Sequence, residues 1–189
     1  MKRIYLDYAA STPVDKRVMA KMKPYFAKHF ANATSIHKEG REAASAVASA
    51  RKSIAELMHV TAGEVIFTAN ATEANNLAIF GTTESYKKLN PGKPLHVVAS
   101  PFEHHSVSNS LKKLEVWGVK VTYLKVGSDG LIKPKDVEVA LTENTALISI
   151  MYAQNEIGTV QPLKEIGRVI RNFKQKKNLK NTKKVGFLW

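Results

Sequence analysis

Val65-Ile66-Phe67-Thr68-Ala69-Asn70-Ala71-Thr72-Glu73 passes from a short apolar run through a polar loop into a helical pattern that continues to Leu89. The same change recurs along the chain. Leu95-His96-Val97-Val98-Ala99 precedes a helical stretch from Ser106 to Gly118. Val119 to Val126 precedes a Ser128-Asp129-Gly130 turn and a short helix from Pro134 to Leu141, and Ala146 to Met151 precedes Pro162 to Lys177. Val185 to Trp189 opens one more strand. Short apolar runs bounded by turn residues read as buried strands, and the longer amphipathic stretches read as helices. Strands that alternate with helices pair in parallel, with helices on both faces of the sheet, so the fold class is α/β.

Upstream the pattern is helical. Residues 1–15 form an N-terminal segment, 16–60 a helical region and 61–189 the alternating strand-helix region. From Val14 to Phe30, Val18, Met22, Phe26 and Phe30 recur every fourth residue on one face, with Pro24 expected to kink or break the helix. From Arg41 to Val60, Ala46, Ala50, Ile54, Leu57 and Met58 form a narrow stripe whose small residues let a helix lie close to a neighbour.

The chain has 189 residues, 44% of them hydrophobic, and a formal net charge of +13. That suits one large domain or two small ones and excludes disordered, collagenous and coiled-coil chains. No apolar run reaches the length of a membrane span, and Asp7 interrupts the N-terminus before a signal-peptide core could form, so a cytoplasmic protein is expected. The absence of cysteine excludes disulfides, thiolate metal sites and a cysteine nucleophile within these residues. Eight basic residues and no acid lie between Arg168 and the end. Only Phe173 is interleaved with them ahead of Val185, so this stretch reads as a solvated helix face and loop rather than a nucleic-acid surface.

In open parallel sheets ligands bind beyond the carboxyl ends of the strands, which directs attention to three polar loops. Ala69-Asn70-Ala71-Thr72-Glu73 enters a helix directly. Its free backbone N–H groups and the Thr72 hydroxyl suit a phosphate, or Thr72 simply caps the helix. There is no Walker lysine and no GxGxxG. Ser100-Pro101-Phe102-Glu103-His104-His105 offers an imidazole able to stack on an aromatic cofactor or move a proton, or else a surface or capping histidine. No HExxH or comparable histidine spacing points to a metal. Ala153-Gln154-Asn155-Glu156-Ile157-Gly158 places an amide that could donate to an anionic oxygen, or could hold its own loop.

Five segments in order resemble cysteine desulfurases, pyridoxal-phosphate enzymes of the class V aminotransferase group. They are Tyr5-Leu6-Asp7-Tyr8-Ala9-Ala10-Ser11-Thr12-Pro13; Asn32-Ala33-Thr34-Ser35-Ile36-His37 with Gly40-Arg41; Phe67 to Ala78; Glu103-His104; and Asn155-Glu156-Ile157-Gly158 with Gln161-Pro162. The resemblance implies a three-layer fold-type-I large domain, here with an incomplete parallel sheet, and a homodimer with the site near the subunit boundary. It implies release of sulfur from L-cysteine to give alanine and a persulfide. Residue by residue, Ala71 and Thr72 match positions that hold the cofactor phosphate. His104 matches the histidine that stacks on the pyridine ring and assists proton transfer, and Asn155 matches the contact to the ring's phenolic oxygen.

Two departures accompany the resemblance. Ala69-Asn70 replaces the usual Ser-Gly, where glycine permits close backbone approach. In the family a strand like Val185-Gly186-Phe187-Leu188 leads to His-x-Asp-x-x-Gln, then to a Ser-x-His-Lys lysine that forms the Schiff base and to a loop cysteine that receives sulfur. None of these follows within the sequence, so the isolated chain is expected to be inactive. Ser35-Ile36-His37-Lys38 mimics the lysine motif but belongs to the N-terminal segment. The alternatives are an inactive remnant or interaction domain, or a relative of selenocysteine lyase. The sulfur acceptor, an iron–sulfur assembly protein or another, stays open. Val185 to Trp189 is expected to expose an apolar strand edge that favours self-association.

Overall fold

The computed structural model describes residues 3–8, 10–177 and 186–188. It divides into two compact units, residues 1–67 and 68–189.

The first unit is helical. Helix α1 (Lys16–Ala27) starts where the Asp15 carboxylate accepts the Arg17 backbone N–H at 2.7 Å. Pro24 lies inside it and does not end it, because the chain bonds onward from the Pro24 carbonyl to the Lys28 N–H. Helix α2 (Lys38–Met58) is capped by His37 Nδ1, which accepts the Gly40 N–H at 3.2 Å. Gly40 is required here, since a Cβ would collide with the Ser35 backbone. The helix ends in the left-handed region at His59, φ 54°. The expected apolar stripes exist but stay open within the chain. Phe26 is 73% and Leu57 78% exposed, and no residue of α1 is buried. Helical spacing creates such a face without specifying what covers it.

Val65-Ile66-Phe67-Thr68, expected as a buried strand, is not one. Its backbone is engaged elsewhere. The Val65 N–H closes a 3-10 turn (Ala62–Glu64) on the Ala62 carbonyl, and the Val65 carbonyl accepts the Arg51 guanidinium. That guanidinium also lies 4.8 Å above the Phe67 ring. Ile66 is 67% exposed. A strand requires a laddered neighbour, and none of the described strands pairs with this run.

The second unit carries the sheet. In chain order it runs α3 (Ala71–Leu89), β1 (His96–Ala99), α4 (His105–Val116), β2 (Lys120–Tyr123), α5 (Pro134–Ala140), β3 (Thr145–Ser149), α6 (Leu163–Lys176) and β4 (Gly186–Leu188). The strands pair in parallel in the order β2-β1-β3-β4. Every residue of β1 and β3 is buried, as strands covered on both faces must be. Alternate side chains divide between two cores. Val97, Ala99 and Leu147 pack with Ile79 of α3 and with Val107, Leu111 and Leu114 of α4. Val98 and Ile148 pack with Val137 of α5 and with Ile166 and Ile170 of α6. The result is the three-layer α/β arrangement, with an open sheet whose edges are β2 and β4. Lys180, Lys183, Lys184, Val185 and Trp189 lie outside the described residues. Among the described residues, no helix is long and apolar enough to cross a membrane.

Candidate functional site

The site is built from two helix heads and two strand ends of the second unit. At the head of α3 the cap is Asn70, not Thr72. Its Oδ1 accepts the Glu73 N–H at 2.9 Å, while Glu73 Oε2 accepts the Ala69 N–H at 2.7 Å. Asn70 sits at φ −163°, an extended conformation open to any residue, so replacing glycine there costs the loop nothing in backbone freedom. Ala71 and Thr72 are exposed as the first two residues of the helix. Among the described residues nothing hydrogen-bonds their N–H groups or the Thr72 hydroxyl. Three free donors at the positive end of a 19-residue helix suit a phosphate group.

His104 caps α4. Its Nδ1 lies 3.1 Å from the Ser106 N–H and 2.9 Å from Ser106 Oγ. The residue is exposed. Asn75 Nδ2, one turn into α3, donates to Ser106 Oγ at 2.8 Å, and one turn further Ser110 Oγ donates to Asn76 Oδ1 at 2.5 Å. These two side-chain bonds hold α3 and α4 side by side, so the phosphate-type donors and His104 stand at the same end of the sheet. Asn75 and Ser106 carry no local signal of this. They are 31 residues apart.

Glu103 ties the two strand ends together. Its Oε1 accepts the Ser100 hydroxyl at 2.7 Å and the Met151 N–H at 2.9 Å, joining the loop after β1 to the loop after β3. Burial pushes its carboxyl above the usual range, against the pull of those hydrogen bonds. Asn155 lies farther along the second loop, exposed, with Nδ2 donating to Glu156 Oε1 at 2.9 Å. The side chain therefore holds its own loop. That turn is pinned at its base by Gln154 N–H to the Thr159 carbonyl at 2.9 Å and by the Ala153–Val160 bridge. Buried Gln161 holds the neighbouring Gly130 turn, donating to the Gly130 carbonyl at 2.8 Å and accepting the Ile132 N–H at 2.9 Å. No described contact links Asn155 to His104 or Thr72.

Lys38 opens α2 with its side chain 78% exposed and its amine 4.0 Å from Glu42. That setting lacks the desolvation that activates a catalytic amine. Among the described residues, no group of three or more His, Cys, Asp or Glu gathers as a metal would require.

The chain is similar to curated proteins and to solved structures over most of its length. The mitosomal cysteine desulfurase of Trachipleistophora hominis is 45% identical over 89% of this chain and 38% of its own length. The cysteine desulfurase IscS of Dictyoglomus turgidum is 42% identical over 92% of this chain and 43% of its own. Among solved structures, a NifS-like protein superposes with a TM-score of 0.85 at 33% identity, covering 98% of this chain and 48% of that one. The structure described as SspA in complex with cysteine reaches 0.81 at 39% identity, over 97% and 49%. The chain thus spans less than half the length of these proteins, and its likeness to cysteine desulfurases runs through nearly all of it. The aminotransferase class-V family matches residues 4–177, from the helical unit through α6, and this chain belongs to that family.

Proposed function

We propose that this chain supplies the phosphate- and ring-binding half of a pyridoxal-phosphate site in a cysteine desulfurase. The observation that carries the reading is the set of unpaired donors at Ala71 and Thr72, with His104 tied to the same helix through Ser106 and Asn75. Bound pyridoxal phosphate supplies a ring that withdraws electrons from the substrate's α-carbon.

The chain's own residues then have separable tasks. The Ala71 and Thr72 N–H groups and the Thr72 hydroxyl hold the phosphate against the positive end of α3. His104, its Nδ1 engaged by Ser106, turns its ring face and Nε2 outward, where it stacks and exchanges a proton. Asn155, whose Nδ2 donates to Glu156 in the free chain, would be the residue to hold the phenolic oxygen. In the overall reaction the C–S bond of L-cysteine breaks, the carbon gains a proton to give L-alanine, and the sulfur passes to a thiolate as a persulfide. This chain has no cysteine, so that thiolate lies outside these residues; the resemblance assigns the lysine that carries the cofactor to a later Ser-x-His-Lys motif. A homodimer, a cytoplasmic location and delivery of sulfur to iron–sulfur assembly belong to the same reading. So does an isolated chain that releases no alanine.

The test is a pyridoxal-phosphate titration of the purified chain. Thr72→Ala, His104→Ala and Asn155→Ala should each weaken binding. Loss of a charge-assisted hydrogen bond, worth about 1.5–3 kcal/mol, predicts an effect of roughly ten- to hundredfold for Thr72→Ala. Equal affinity in the wild type and all three variants would refute the reading.

A further inference from the structure

We infer that Asn75 and Ser106 are positioning residues that hold His104 in a single tautomer, with Nδ1 as the acceptor and the proton on Nε2. The argument rests on which groups can donate. A backbone N–H only donates, and the Ser106 N–H lies 3.1 Å from Nδ1, so Nδ1 carries the lone pair. Ser106 Oγ, 2.9 Å from the same nitrogen, can either donate to it or accept from it. With Nδ1 fixed as an acceptor by the backbone N–H, Asn75 supports the donating direction of the hydroxyl. Its Nδ2 donates to Ser106 Oγ at 2.8 Å, which occupies an oxygen lone pair and leaves the hydroxyl proton free to point at Nδ1.

Two donors therefore converge on one ring nitrogen, and the second is aimed by a residue on a different helix. The arrangement leaves Nε2–H as the ring's outward group. It also couples the imidazole to α3, whose first turn presents Ala71 and Thr72. A shift of one helix against the other would turn the ring relative to those donors.

The inference bears on the site proposed above, but its readout needs no cofactor. Failure of the chain to bind pyridoxal phosphate would sink the functional reading and leave this one standing. The measurement is long-range proton–nitrogen NMR on the nitrogen-15-labelled chain at a pH where the ring is neutral, with His104 assigned from a His104→Gln spectrum. In the wild type Nδ1 should show a pyridine-type shift and Nε2 a pyrrole-type shift. Ser106→Ala and Asn75→Ala should each lower the ratio of Nε2–H to Nδ1–H by about two- to tenfold, the worth of one net hydrogen bond. Ser106→Thr, which keeps the hydroxyl, should preserve the ratio. Exchange protection of the β1 and β3 amides confirms that a variant is folded, and either alanine variant alone carries the test. A wild-type ring protonated on Nδ1 would overturn the inference. So would a tautomer ratio unchanged in a folded alanine variant.

Discussion

Replacing Glu103 separates what its charge costs from what its oxygen holds. Glu103 Oε1 is the acceptor for the Met151 N–H at 2.9 Å and for the Ser100 hydroxyl at 2.7 Å, and Ser100 is only 1% exposed. Glu103→Ala strands a partly buried N–H and sends a buried hydroxyl in search of another partner. Leaving such a donor unsatisfied costs about 1–3 kcal/mol. With a urea m-value of about 1–3 kcal/mol/M, the unfolding midpoint should drop by roughly 1 M. Glu103→Gln keeps an oxygen acceptor in place and removes the charge. Burial raises the carboxyl's folded-state pKa above its ordinary value, so the folded chain binds more protons than the unfolded one over the window between the two. Glu103's contribution is then fully present below the unfolded value and is lost as pH rises through the folded one. Urea melts from pH 4 to pH 8 should show Glu103→Gln matching the wild type at the acid end and exceeding it at pH 8. Parallel wild-type and Gln curves over the whole range, or an Ala variant with an unchanged midpoint, would refute the reasoning.

Two further outcomes follow from the same structure. His96, 4% exposed, reaches Thr145 Oγ1 and Thr122 Oγ1 at 2.8 Å each, and burial, helped by the Lys120 charge, lowers its pKa below the usual value. The unfolded chain therefore binds more protons just below about pH 6.5. Stability should fall as pH drops through that window, and a His96→Asn variant in urea melts should lose less; an equal loss would remove His96 as the cause. Amide hydrogen exchange should also be fast at Ile66 and Phe67 and slow at Val97 and Val98, and comparable protection would restore the strand that the fold denies.

What the sequence determined by itself was everything that depends on near neighbours. Short apolar runs bounded by turn residues, set against 3.6-residue periodicity, located the described sheet strands within a residue or two at each end of most runs, because strands covered on both faces are apolar throughout. The motif segments likewise identified the family, since their order and composition survive without any contact being known. The tertiary structure decided everything that needs a second partner. Val65 to Thr68 has the composition of a strand, but a strand exists only when a neighbour completes its hydrogen bonds, and here the Ala62 turn and Arg51 take them. The α1 stripe, Val18 to Phe30, marks a face without naming its cover. Ala71, Thr72 and His104 stood out as candidates because a polar loop running into a helical pattern announces a helix head. Asn75 and Ser106 did not, because their meaning is one hydrogen bond between residues 31 apart. Glu103 was visible only as the neighbour of a histidine. Its work is to accept the N–H of Met151, 48 residues away, and only the packing of β1 beside β3 brings that donor within reach.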